Sequence, residues 1–121
     1  MAIRPFWFTD SVTLSALGSS TARMPVAAGE KARFRKMYYT STGAFNITTI
    51  RDDSGQRYTN ASADDPLAST LLRNTANANN TVYEFEPPLE LEGPNGLSFE
   101  LTDTSGASNT VRIVVTGEKE I

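Results

Sequence analysis

Carboxylates are the abundant acid–base groups of this sequence: 14 Asp and Glu in 121 residues, with no His and no Cys. A Cys/His zinc centre and a Ser–His–Asp or Cys–His nucleophile are therefore excluded. Catalysis would fall to carboxylates, Lys, Tyr or a hard cation. Glu84, Glu86, Glu90 and Glu92 form an acidic row of the residue type used in glycoside hydrolysis. They alternate with Tyr83, Phe85, Leu89 and Leu91, however, which is the pattern of any strand with one exposed face. Asp52-Asp53-Ser54-Gly55 together with Asp64-Asp65 offers oxygen ligands for calcium, but the spacing matches no EF-hand loop. A turn accounts for the first group and a helix cap for the second. No enzymatic activity, metal or cofactor is expected.

What remains is recognition chemistry. Arg33, Arg35, Met37 and Tyr39 fall on one face of a strand by simple alternation, and Arg, Met and Tyr are enriched at interfaces. The natural complement is an acidic strip of a neighbour, Glu84/Glu86 or Glu90/Glu92. Phe6, Trp7 and Phe8 are consecutive and cannot all face one side of a strand, so either this stretch is buried on both faces or residues 1–10 form an aromatic arm that packs on something else; the arm is expected. Trp7 and Tyr58 are candidate stacking platforms for a sugar, whereas alternation sends Tyr38 and Tyr83 to the core. The N-x-[ST] triplets at Asn46, Asn60 and Asn79 are discounted in a chain rich in these residues.

The elements that must position these groups are strands. Ser and Thr make up roughly a fifth of the chain, and Asn and Gly bring the turn-forming share to about a third. Alternating segments are predicted over 11–17 (Val12, Leu14 and Ala16 inward), 21–27, 32–41, 44–51 (Phe45, Ile47 and Thr49 inward) and 56–59. Further segments cover 81–86, 89–92, 97–102 and 109–116. Ala32, Phe34, Lys36 and Tyr38 share the second face of the 32–41 strand. Asp64-Asp65-Pro66 starts a short helix through Arg73, followed by a polar loop at 74–80. If the last two strands form a hairpin, Glu100 and Arg112 are cross-strand partners. The prediction is all-β: a single jelly-roll-like β-sandwich of about eight strands over 11–121, with one short helix in a connection and an N-terminal arm over 1–10.

Charge is split along the chain. Residues 1–60 carry eight Lys/Arg and four Asp/Glu, residues 61–121 three and ten. Two readings stand: oppositely charged strands adjacent in one sandwich, or a basic face that meets the acidic face of a neighbour. The acidic total and the lack of a basic run speak against nucleic acid, and no apolar run suits a membrane or a leader.

The segments Phe34–Tyr39 with Ser41-Thr42-Gly43-Ala44-Phe45-Asn46-Ile47, Tyr83–Leu91, Leu97–Leu101 and Ser105–Gly117 resemble the small jelly-roll virion proteins of tailed bacteriophages, most of all capsid decoration (cement) proteins. The resemblance implies a structural role on a virion assembled in the host cytoplasm. It implies the major capsid protein as partner, self-association as a trimer, and no signature site to carry over. The alternative is a receptor- or carbohydrate-binding module of a fibre or lectin-like protein.

Overall fold

The computed structural model describes residues 2–58, 67–68 and 81–121. Its strands are β1 (Ile3–Leu14), β2 (Ser19–Met24), β3 (Lys31–Ser41), β4 (Phe45–Asp52), β5 (Leu67–Ala68), β6 (Thr81–Glu92), β7 (Leu97–Asp103) and β8 (Asn109–Glu120). They form two four-stranded sheets, β1-β8-β3-β6 and β2-β7-β4-β5, with every pairing antiparallel. The first strand pairs with the last, the second with the second-last, and so inward to β4 with β5. One apolar core lies between the sheets, built on Phe34, Met37, Ile113 and Val115 from the first and Phe45, Ile47, Phe99 and Leu101 from the second. The all-β, two-sheet expectation holds, and no helix occurs among the described residues.

Several local expectations are corrected. The helix from Pro66 is replaced at Leu67–Ala68 by strand, paired to Ile47 and Asn46 on the open edge of β4. Backbone groups on a sheet edge gain partners there, which outweighs a weak helical propensity. The cap at 64–66, the loop at 74–80 and the triplet at Asn60 lie outside the described residues. Glu100 and Arg112 are not partners, because β7 and β8 belong to different sheets; Glu100 instead meets Arg51 at 3.0 Å. Among the described residues, the hairpin return after Gly55 is reduced to a single bridge between Arg51 and Arg57. The segments at 81–86 and 89–92 are one strand, since β6 is an edge strand and can carry Pro87-Pro88.

Residues 3–10, read as an arm, form the first part of β1 and pair in register with β8 from Ile3↔Glu120 onward. No break separates them from Ser11–Leu14.

The largest correction is in β3. Its register with both neighbours shifts between Phe34 and Lys36: against β8, Arg35 is the extra residue of a β-bulge, and against β6 the four residues Phe85, Glu86, Pro87 and Pro88 lie opposite that one residue. Side-chain direction inverts across the bulge. Ala32 and Phe34 point inward before it, and Met37 and Tyr39 point inward after it. A second bulge in β4 leaves Thr48 unpaired between Ile47 and Thr49, and Ile50 and Asp52 join the buried face beyond it.

Candidate functional site: the outer face and free edge of the first sheet

The bulge divides the residues expected to share one interface face. Met37 is 1% exposed and Tyr39 9%, and Tyr39 packs edge-on against Phe45 at 4.9 Å. Both are core. Arg33, Arg35 and Lys36 stay on the outside, and Tyr38, expected inside, is only half-buried.

The outer cations already have acidic partners within the chain. Arg33 meets Glu90 at 2.7 Å, Glu120 at 3.1 Å and Glu118 at 3.7 Å. Arg35 meets Glu118 at 2.9 Å, and Lys36 meets Glu84 at 3.6 Å. The basic β3 lies between the acidic ends of β6 and β8, so the sequence's charge split is resolved inside one sheet. The more exposed of these pairs, Arg35–Glu118 and Lys36–Glu84, individually contribute little to stability. Glu86 is exposed on the stretch of β6 between the residues paired with Phe34 and Lys36.

The three consecutive aromatics divide as strand geometry requires. Phe6 and Phe8 point inward and are half-buried. Their rings lie 4.8 Å apart and 5.8 and 6.1 Å from Phe34, with the Lys119 ammonium 6.0 and 5.6 Å from them. Trp7 points outward and is 74% exposed. Beside it a groove of about 750 Å³ is lined by Pro5, Trp7, Arg35, Lys36, Tyr38 and Thr116. Tyr58, the other sugar-platform candidate, is half-buried against the core and donates its hydroxyl to Asp52 at 2.7 Å. Of the two, only Trp7 presents an open ring.

The candidate calcium carboxylates are occupied by the turn itself. Asp52 accepts from the Ser54 N–H and the Gln56 N–H as well as from Tyr58. Asp53 takes a bidentate pair from Arg23 and the Gly96 N–H. Asp64 and Asp65 lie outside the described residues, and among the described residues no three Asp or Glu side chains gather to hold a metal ion.

A second carboxylate node, not anticipated from the sequence, closes the opposite end of the β4·β7 ladder. Asp103 accepts from the Leu17 N–H, the Ser105 N–H and hydroxyl, the Gly106 N–H and the Asn109 amide. It ties three connections together: 15–18, 42–44 and 104–108. The readable signal was Asp103-x-Ser105-Gly106, a side-chain-bonded turn, with an Asn placed just before an apolar strand.

Both nodes set the response to acid. Burial would raise the Asp52 carboxyl, but the Ser54, Tyr58 and Gln56 donors overcome it and hold the group at about 2. The Ser105 hydroxyl and the Leu17 and Asn109 donors hold Asp103 well below the ordinary carboxylate range, against the opposing effect of burial. A depressed folded pKa contributes stability that is complete above the unfolded value near 4 and is lost as pH falls through the folded one. With no His in the chain, the melting temperature is expected to stay nearly flat from about pH 8 to 5 and to fall steeply below about pH 4. Scanning calorimetry across that range checks this. A transition that already drops by about pH 6 would contradict it.

No protein-family model matches the chain, and no curated protein matches it at significant similarity.

Proposed function

We propose that the chain is a jelly-roll virion protein: a non-enzymatic capsid decoration (cement) protein that binds the major capsid protein of a bacteriophage shell and associates with itself. The observation that carries this reading is the nested strand pairing, first with last through to β4 with β5. An eight-stranded, two-sheet wrap with this order supports a jelly roll, a fold found among viral capsid proteins and lectins. A fold hosts many functions, so the particle contact depends on the chemistry of the surface. The β3 cations on this face are paired within the chain, and Trp7, with Ile3 beside it in the outer row of β1, is the most exposed large apolar side chain there. Buried tryptophans dominate protein contacts, so Trp7 supplies the central contact to the shell.

The test uses purified shells that lack this chain. The protein is expected to co-sediment with them, to saturate at a fixed number of copies, and to raise the temperature at which the shells open. Trp7→Ala should weaken attachment by roughly 30-fold. Deleting residues 1–10 would not serve, because Phe6 and Phe8 pack on Phe34. No attachment to shells, together with saturable quenching of Trp7 fluorescence by oligosaccharides, would replace this reading with that of a carbohydrate-binding module.

A further inference from the structure

Sheet edges attract other chains unless they are covered or blunted. β1 is an edge strand of the first sheet, and the register shows which of its backbone groups face outward. Ala2 and Ile121 exchange both backbone bonds, Ile121 N–H to Ala2 C=O at 3.0 Å and Ala2 N–H to Ile121 C=O at 3.4 Å. Bonded and non-bonded pairs alternate in an antiparallel ladder, and the β1·β8 register has no shift. Arg4, Phe6, Phe8 and Asp10 therefore bond to β8. Ile3, Pro5, Trp7 and Thr9 turn their backbone groups to the other edge, which no strand covers among the described residues. Pro5 sits where its missing N–H costs no bond to β8. The side chains of the same four residues form the outer row that includes exposed Ile3 and Trp7.

This edge is self-complementary about Trp7. When two copies are laid antiparallel with Trp7 opposite Trp7, Phe6 faces Phe8 of the second copy, and Arg4 faces Asp10. Arg4 is exposed. One Asp10 oxygen accepts the Ser11 N–H and the other the Arg23 N–H, which orients the carboxyl group at this edge. The two Trp7 residues exchange both backbone bonds. Each Thr9 N–H reaches the Pro5 carbonyl of the second copy, and the absent Pro5 donor confines the pairing to this short segment. A parallel arrangement would instead set Arg4 against Arg4 and lose the complementarity.

We infer that the occupant of the β1 edge is a second copy of this chain, joined two-fold at Trp7 so that the first sheets of both copies run on as one eight-stranded sheet. The contact is isologous, as two-fold contacts are. It places both Trp7 rings side by side on one face. It does not rest on the virion reading, since it requires no particle.

Sedimentation analysis of the isolated full chain tests it, over roughly 1–100 μM to span the affinities common for small interfaces. The expected species has twice the 13.1 kDa chain mass. Trp7 is the single tryptophan, so its emission should shift with protein concentration along the same curve. Thr9→Pro removes an outward N–H and should leave only monomer. Arg4→Glu, an exposed substitution that keeps the strand intact, should weaken the dimer by about tenfold or more. Circular dichroism reports whether Thr9→Pro still folds; if it does not, Arg4→Glu alone decides. A strict monomer, a species of three times the chain mass, or a dimer indifferent to Arg4→Glu would each overturn the inference.

Discussion

Gly117→Ala is expected to destabilise the fold by about 3 kcal/mol or more, at the upper end of what overpacking does. Gly117 sits in β8, between Phe6 of β1 and Phe34 of β3, at the step where the β3 bulge begins. A Cβ placed there would lie 1.8 Å from the Arg33 carbonyl oxygen and 2.9 Å from its carbon, with the Arg35 nitrogen at 3.3 Å. All three are backbone atoms, so no rotamer change relieves the clash. Either β8 withdraws from β3 or the bulge is lost. Losing the bulge would send Met37 and Tyr39 to the outside. Urea unfolding measures the cost. Gly106→Ala is the control: Gly106 has φ +78° and nothing within 4 Å of an added Cβ, so only the backbone penalty of about 1 kcal/mol applies. Equal costs at the two sites would refute the assigned role of Gly117.

Asn109→Ala is expected to cost on the order of 3–5 kcal/mol, since it strands several buried groups worth roughly 1–3 kcal/mol each. Asn109 is fully buried (0% exposed). Its amide nitrogen donates to the Gly43 and Ala44 carbonyls and to Asp103, each at 3.0 Å. Its oxygen accepts the Gly43 N–H at 3.0 Å and the Thr42 hydroxyl at 3.1 Å. No other side-chain type has this donor and acceptor set at this length. Asn109→Asp separates hydrogen bonding from packing. It keeps the shape but sets a second carboxylate against Asp103, so one of the pair is driven to a raised pKa. Mild acid should then stabilise Asn109→Asp, while the parent chain is indifferent to the same change. Amide exchange at Gly43 and Gly106 provides a local readout. Protection there unchanged by Asn109→Ala would show that the three connections are held by something else.

Period-two alternation made most of the strands readable, because burying one sheet face imposes that period on the residues themselves. Phase was harder. In β3 the apolar set moves from Ala32 and Phe34 to Met37 and Tyr39, and Arg35-Lys36 marks the slip. Unbroken alternation puts Met37 and Tyr39 on the face of Arg33 and Arg35, and Arg, Met and Tyr together have the composition of a contact surface. Nothing in the residues of β5 announces a strand, since its pairing is imposed by the open edge of β4. Which strands neighbour one another, and hence that Arg33 meets Glu90 and Glu120, depends on contacts distant in sequence that alternation does not encode. The candidate contact surface was legible in part: Trp7 keeps its outward place, whereas Phe6 and Phe8 became packing for Phe34.

The order of pairing also bears on how the chain reaches its fold. β1 and β8 lie at opposite ends of the sequence, so closing that pair from an open chain carries a large entropic cost and tends to slow folding. Nesting reduces this cost stepwise. Once β2 has met β7, only residues 15–18 and 104–108 separate the paired strands from β1 and β8. The outermost pair then closes two short turns instead of one chain-long loop. A chain that assembles this way leaves β1, with its aromatic triplet, as the last strand to find its partner. Until β8 has docked, Phe6 and Phe8 stand uncovered beside the outward Trp7, so dilution or a holding chaperone should raise the refolding yield.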